Sequence, residues 1–149
     1  MTPLTFFVPG IPAPGGSKRF VGFGKNTGRA ILIDAAGERN KNWRAVVALA
    51  GKQAMEQRPL WQGVPLRVKM DFVMNRPQGH FNSKGALKPS APFYHTKKPD
   101  ALKLSRSTED ALTGIAWVDD ASTAMLEVSK VYAGPGESTG CKITIQPIL

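Results

Sequence analysis

The stretch from residue 64 to residue 77, VPLRVKMDFVMNRP, alternates between apolar and other side chains. A period of two is typical of a β-strand that turns one face toward a hydrophobic core. The apolar set comprises Leu66, Val68, Met70, Phe72 and Met74. The stretch therefore predicts a strand with one core face, whose opposite face carries Arg67, Lys69 and Asp71.

Two other segments have the period of an amphipathic helix. The first covers residues 38–57 and ends before Pro59, because proline disfavours the helical conformation of the residue preceding it. The second covers residues 101–115, with Asp100 as a candidate N-cap and Gly114 as its stop. Its predicted core face consists of Ala101, Leu104, Thr108, Ala111, Leu112 and Ile115. Its opposite stripe consists of Asp100, Lys103, Ser107 and Asp110.

The remaining segments predict short strands and two loops. Strand character is found at residues 4–8, 125–132 and 141–148. Residues 18–30 predict a mobile or hairpin-like segment, and residues 76–96, which lack periodicity, predict a long flexible loop. We therefore expect an α/β fold of mixed α+β type, with a small mixed sheet and two main helices in one domain over residues 1–149.

The charge balance points to a polyanionic partner. Twenty Lys and Arg residues face eleven Asp and Glu residues, so the formal net charge is +9 and the pI is about 10.0. Nucleic acid is the first candidate partner for such a chain. A membrane is not expected, because the sequence has no basic amphipathic anchor helix, no apolar run of spanning length and no secretory signal. The lone Cys141 suits a reducing cytosol, so we expect a cytoplasmic protein.

The acids of this basic chain are concentrated in one segment. Residues 97–120, KKPDALKLSRSTEDALTGIAWVDD, contain five of the eleven: Asp100, Glu109, Asp110, Asp119 and Asp120. Asp120 lies about 20 Å from Asp100 along the helix axis, so the two meet only if the chain folds back over the helix or a second subunit contributes. Carboxylates on a basic surface suit Mg²⁺ and phosphodiester hydrolysis.

Structural roles also account for these acids. Asp100 is a candidate helix cap, the pair Asp119-Asp120 suits a turn, and Asp110 is spaced to pair with Arg106. Composition and spacing leave both interpretations open.

The same segment resembles the signature of the RusA family of Holliday-junction resolvases, which are common in phages and prophages. The family's segment reads K-P-D-x-D, then D-A-L-x-G, then an aromatic residue and D-D. Lys98, Pro99, Asp100, Asp110, Ala111, Leu112, Gly114, Trp117, Asp119 and Asp120 fit this pattern. The opening FFVPGIPAPGGSKRF is also similar to the family's first strand, Pro-Gly turn and basic loop, so the resemblance covers most of the chain.

The resemblance implies a homodimeric endonuclease that cuts four-way DNA junctions symmetrically with Mg²⁺ or Mn²⁺, in the cytoplasm of a bacterial or phage-infected cell. It implies Asp100 and Asp120 as metal ligands, with Asp119 adjacent. The position of the family's catalytic lysine is Arg106, which keeps the charge but cannot donate a proton near neutral pH.

One position departs from the family pattern. Leu102 stands where the family has an acid, and an apolar side chain cannot bind a cation. Three explanations compete. Asp71 or Asp110 supplies the missing carboxylate, or the metal is bound more weakly with water in that position. In the third, the chain binds junctions but cuts them poorly or not at all. Packing at a dimer contact is a structural role for Leu102.

The basic residues complete the prediction. We expect the DNA backbone to be bound by Lys18, Arg19, Lys25, Arg29, Lys97, Lys98 and Lys103, with Arg106. Trp117 and Phe20 are candidates for stacking on bases, although core packing is the expected role of Trp117, and His80 and His95 are expected to be loop histidines. A basic module that binds RNA or protein, with its acids serving only as caps and turns, is the competing class.

Overall fold

Four strands form one mixed sheet in the computed structural model of the chain, which describes residues 2–15, 18–25, 28–34 and 37–149. In chain order the strands are β1 (Leu4–Pro9), β2 (Lys18–Phe23), β3 (Ala30–Asp34), β4 (Leu66–Met74), β5 (Thr123–Tyr132) and β6 (Gly140–Pro147). The sheet has the order β1-β6-β4-β5, and β4 and β5 are its parallel pair. The strands β2 and β3 form a separate antiparallel hairpin, which matches the hairpin alternative for residues 18–30.

The alternating stretch forms β4, which pairs with both β5 and β6. Its five predicted core residues are buried, so the predicted strand and its core face are confirmed. A parallel pair cannot be joined by a tight turn, and here the connection from β4 to β5 is the long segment 75–122. The crossover between the strands therefore contains the entire acidic segment.

The two predicted helices are α1 (Gly37–Met55) and α2 (Ala101–Leu112). Both contribute buried side chains to the core that covers one face of the sheet. Its fully buried members include Val8, Val47, Val68, Met70, Phe72, Leu104, Leu112, Ile143 and Ile145. The mixed α+β fold predicted from the sequence is confirmed. In the described part of the chain, no helix combines the length and the apolar character needed to cross a bilayer.

Helix α2 differs from its prediction at two points. Ser107, expected on the outer stripe, is fully buried because its hydroxyl donates a hydrogen bond to Asn40 Oδ1 of α1. The core face of α2 is therefore wider than its apolar residues indicate. The helix also ends at Leu112 and not near Ile115, since Thr113 has extended backbone angles and Gly114 has a φ of 85°.

The segment 76–96 has local order of its own. A short 3-10 turn covers Gln78–His80, and Arg76 donates hydrogen bonds to the carbonyl oxygens of Pro92 and Ala133, each at 2.8 Å. The rings of His80 and His95 both contact Tyr132, at centroid distances of 4.7 and 4.9 Å. The two histidines thus pack around one aromatic ring, as structural residues of this segment.

Trp117 is fully buried and its indole nitrogen donates a hydrogen bond to Thr113 Oγ1 at 3.1 Å. The expected core role of Trp117 is confirmed, and its ring does not face solvent, where it would stack on a base. The other stacking candidate, Phe20, has a side chain that lies outside the described part of the structure.

The hydroxyl of Thr108 joins α1 to α2, and its removal is expected to destabilise the protein. Thr108 Oγ1 accepts a hydrogen bond from Trp43 Nε1 at 3.0 Å and donates to Leu104 O at 2.9 Å. Thr108→Val keeps the shape of the side chain but leaves the buried Trp43 N–H without a partner. We expect a loss of about 1–3 kcal/mol in the free energy of unfolding, measured by urea denaturation.

Thr5→Val is the matched control. It removes a threonine hydroxyl whose hydrogen bond, donated to Thr144 Oγ1, is exposed, so water can solvate the partner that remains. If both variants lost the same free energy of unfolding, the buried hydrogen bond between the helices would stabilise the protein no more than an exposed one.

Candidate active site

A cavity of about 320 Å³ lies along the solvent-facing side of α2, and we call it the α2 pocket. It is lined by Leu102, Ser105, Arg106, Glu109, Asp110, Asp120 and Leu126. Leu102, Arg106 and Glu109 are spaced by four and three residues, so they form one row along the helix. The pocket therefore collects an apolar side chain, a cation and carboxylates on the face of α2 opposite to the core.

The chain after α2 returns to bring Asp120 to this row. A 3-10 turn covers Asp120–Ser122, and the side chain of Asp119 stabilises it by accepting a hydrogen bond from Ala121 N at 2.9 Å. Asp119 therefore has the turn role that was one alternative for the Asp119-Asp120 pair. Asp120 faces the pocket instead, where its charge acts on Glu109.

The carboxyl group of Glu109 has a strongly shifted pKa. Burial, then the charge of Asp120 and then that of Asp110 raise the pKa of Glu109 to about 7. Among residues with described side chains, none forms a hydrogen bond or an ion pair with this carboxylate. A half-buried carboxylate beside two other carboxylates is repelled by them and poorly solvated. A bound cation would therefore stabilise its charged form strongly.

Asp100 lies at the N-cap position of α2, as predicted, but its side chain makes no capping hydrogen bond. Its carboxylate is 3.9 Å from Lys103 Nζ and acts on the pKa of Lys130. The strand β5 does run back along α2, but the turn that precedes it reaches the second half of the helix. In the part of the chain that the structure describes, Asp120 therefore lies near the acid Glu109, whereas Asp100 lies near Lys103 and Lys130.

Lys130 is a residue of this site that the sequence reasoning missed. Its ammonium group donates hydrogen bonds to Lys97 O at 2.9 Å and Pro99 O at 2.7 Å, and so ties β5 to the segment entering α2. Burial lowers the pKa of Lys130, and the charge of Asp100 opposes this shift. In the sequence, Lys130 shares one face of the predicted strand with Leu126, Val128 and Tyr132, and this period of two was the signal that could have found it.

Asp71 lies on the other face of the sheet. Its neighbours along β4, Met70 and Phe72, point into the core beneath the helices, so its own side chain points away from them. It accepts a hydrogen bond from Ser129 Oγ at 2.8 Å and lies 4.0 Å from Lys69 Nζ. The structure therefore does not bring Asp71 to the α2 pocket with Asp120.

Arg106 and Asp110 both line the pocket, yet no ion pair joins them, nor does Arg106 pair with any other described acid. The guanidinium is exposed beside the carboxylates. Leu102 is 74% exposed, so it lines the pocket mouth and contributes little to the core. The pocket therefore places a guanidinium that no described acid pairs with next to several carboxylates. The guanidinium could hold a phosphate directly, and the carboxylates could hold it through a metal ion.

The predicted DNA-binding cations are placed in two regions. Lys97, Lys98 and Lys103 are exposed where the chain enters α2. Lys25 and Arg29 are exposed at the β2–β3 hairpin, whereas the side chains of Lys18 and Arg19 lie outside the described part of the structure. The first group is continuous in sequence with the acids of the pocket.

The donor atoms of the α2 pocket suit a hard cation. They are carboxylate oxygens, without sulfur or imidazole, and Mg²⁺ is commonly held by one or two carboxylates together with water and phosphate oxygens. In the described ranges, no three His, Cys, Asp or Glu side chains are grouped closely enough to hold a metal ion by themselves. The residues therefore fit a metal that is completed by its substrate, with Asp120 and Glu109 as two carboxylates that line the same pocket.

Comparison with known protein families gives a match over most of the chain. The family model described as endodeoxyribonuclease RusA matches residues 9–146, which is nearly the whole chain. No curated protein matches the sequence. The matched range contains both helices, the strands from β2 to β5 and every residue of the α2 pocket, together with most of β6 and the last residue of β1.

The raised pKa of Glu109 predicts a pH dependence of stability in metal-free buffer. The folded state holds this proton more tightly than the unfolded state, whose ordinary value is 4.5, so stability falls as pH rises from 4.5 through about 7. Glu109→Gln removes this loss. We expect the variant to match wild type at pH 5 and to exceed it at pH 8.5 by on the order of 1 kcal/mol, allowing for solvent screening.

Urea denaturation in EDTA measures both proteins at the two pH values. Glu56→Gln, at an exposed residue just after α1, is the control and should show no such difference. A stability difference for Glu109→Gln that does not change with pH would contradict the prediction.

Proposed function

Because this chain belongs to the RusA family of endodeoxyribonucleases, we propose that it resolves four-way DNA junctions by metal-dependent, symmetric nicking of two strands. The observation that supports the chemistry is the α2 pocket. There Asp120 and Glu109 line one pocket with Arg106, whose guanidinium pairs with none of the acids that the structure describes, on a chain with a net charge of +9. Acids in a basic surface suit a site that grips a polyanion and cuts it.

Each residue of the pocket has a proposed part in hydrolysis. Bound Mg²⁺ or Mn²⁺ would supply an activated water and offset charge on the phosphate. Asp120 would hold that ion at the pocket. Arg106 would donate hydrogen bonds to phosphate oxygens and neutralise charge that develops on them, and its permanent charge means that it does not act as the proton donor.

Asp100 keeps a proposed role through its place in the family pattern. Its exposed carboxylate lies at the start of α2, beside Lys103. We propose that Asp100 acts at the end of the site where DNA enters, as a ligand that either its own subunit or a partner contributes. Asp119 is assigned to the turn that positions Asp120, and Asp71 is not included in the proposed site.

The DNA surface that we propose combines the exposed lysines at the start of α2 with the hairpin cations. Two symmetric cuts across a junction need two active sites, and a homodimer with twofold symmetry provides them. Leu102 and Leu126, which are 74% and 43% exposed at the pocket, are the apolar side chains proposed to lie near that contact. With DNA as its substrate, we propose that the protein acts in the cytoplasm of a bacterial or phage-infected cell.

Cleavage of a labelled four-way junction tests the proposal. With Mg²⁺ or Mn²⁺ we expect paired, symmetric nicks, and little cutting of linear duplex. Asp120→Asn should lower the cleavage rate by roughly 100-fold or more, because it removes a metal ligand and leaves the basic surface intact.

Asp71→Asn is the matched control, since it makes the same chemical change on the opposite face of the sheet and should cut normally. A gel shift without nicks from the wild-type protein would favour a non-catalytic junction binder. Equal binding of junction and linear duplex would favour the basic interaction module.

Junction affinity should also fall steeply with salt. Replacing Lys97, Lys98 and Lys103 by Gln should weaken binding and reduce the magnitude of the slope of log affinity against log salt by up to about three. Fluorescence anisotropy from 50 to 300 mM salt, roughly the range in which counterion release is resolved, measures that slope. A salt-insensitive affinity, or an unchanged slope in the triple variant, would argue against binding led by phosphate contacts.

A further inference from the structure

Two adjacent aromatic side chains are exposed on the segment 76–96. Phe93 and Tyr94 are 62% and 64% exposed, and their rings pack edge to face at a centroid distance of 5.0 Å. Neither residue belongs to the core or lines the α2 pocket. Scattered exposed apolar residues are ordinary, whereas two adjacent rings offer flat apolar faces to a partner.

The backbone that carries these rings is held on the edge of the sheet. Phe93 O accepts a hydrogen bond from Tyr132 N at 2.9 Å, and His95 N donates one to Lys130 O at 3.0 Å. The segment thereby forms an antiparallel bridge along the free side of β5, which is an edge strand. The buried ring of His95 packs on Tyr132. Because this backbone is already ordered, a ligand that covers the two rings pays little conformational entropy.

The surroundings of the aromatic pair favour a polyanion. From residue 72 to residue 99 the sequence has five Lys or Arg residues and no Asp or Glu. Lys84, Lys88, Lys97 and Lys98 of this range are exposed. Tyr94 precedes Lys97 by three residues, so their Cα atoms lie within about 11 Å of each other. Aromatic faces for bases and cations for phosphates are the two components with which proteins bind unpaired nucleic acid strands.

Unpaired DNA bases fit both observations better than a second copy of the chain does. A twofold contact through these rings would bring two acid-free basic segments together, and like charges repel. A base inside a duplex is stacked on both faces, whereas an unpaired base has a face free. Lys130 also ties this edge of the sheet, through Lys97 O and Pro99 O, to the start of α2, where DNA is proposed to enter.

We propose that Phe93 and Tyr94 stack on unpaired DNA bases at the centre of the junction, and so contribute to a preference for branched over linear duplex DNA. This inference rests on the proposed function for its DNA substrate. It adds a contact with bases to a surface that otherwise contacts phosphates.

Binding of a single strand in EDTA tests the inference without cleavage. The probe is a fluorescein-labelled oligothymidylate, and an abasic strand of the same length carries the same phosphates without bases. We expect wild type to prefer the thymidine strand. The double variant Phe93→Leu, Tyr94→Leu should lose roughly tenfold or more in affinity for it, because base stacking is lost. Its affinity for the abasic strand and for linear duplex should change by less than about twofold, since no phosphate contact is removed.

The same variant should lower the ratio of junction affinity to duplex affinity by roughly tenfold. Phe7→Leu is the matched control, because it makes the same change at an exposed ring on β1, the opposite edge of the sheet, and should leave every affinity unchanged. Exchanging the two residues, Phe93→Tyr with Tyr94→Phe, keeps both rings and should preserve the preference. Thermal unfolding checks that the variants fold, and sedimentation velocity reports their subunit association.

The inference is overturned if wild type does not distinguish the two strands, if the double variant binds the thymidine strand or the junction as well as wild type does, or if it weakens binding to both strands equally. Loss of a dimer in that variant would also overturn it, by assigning the rings to a subunit contact. Junction cleavage by wild type is scored separately. A protein that recognises bases through these rings but never cuts would refute the proposed function and leave the stacking inference in place. A protein that cuts, and whose affinities do not depend on the rings, would refute the inference alone.

Discussion

The packing of α2 against α1 is the contact on which the candidate site depends. Trp43 donates a buried hydrogen bond to Thr108, and Gly51 lets the helices approach so closely that an added Cβ atom would lie 2.6 Å from Leu112 Cδ2. Buried polar contacts with one geometry fix rotation more tightly than apolar packing does. This rotation keeps one face of α2 in the core and turns the opposite row, from Leu102 to Glu109, toward the pocket.

The crossover that connects the parallel strands β4 and β5 then assembles the site. Because β5 must lie beside β4, the chain after α2 has to turn back, and the turn carries Asp120 to the second half of the helix. At the other end, Lys130 ties the strand to the segment entering α2 through two carbonyl oxygens. The sheet topology therefore determines which acids become neighbours. It brings Asp120 close to Glu109 at the end of α2, and not to Asp100 at its start.

The distribution of charge follows from the same arrangement. The acidic segment of a basic chain is folded so that its carboxylates divide between two environments. Asp100 remains exposed among lysines, whereas Glu109 is half-buried beside Asp120, which raises its pKa to about 7. Without a cation, repulsion between the carboxylates of Glu109 and Asp120 weakens the folded state. A cation bound beside them would be attracted by both carboxylates and would stabilise the fold. Stability and metal binding are thus expected to be coupled through the pocket.

Much of this protein was determined by local sequence pattern. The period of residues 64–77 and of α2 was enough to predict the strand, the helix and the fold class. The resemblance of residues 97–120 to a known signature was enough to predict the family. These features depend on neighbours a few residues apart, which the sequence states directly. The burial of Ser107, the separation of Asp71 from the α2 pocket and the approach of Asp120 to Glu109 were decided only by tertiary structure. They depend on how helices rotate and how a crossover returns, and residues far apart in the chain set both.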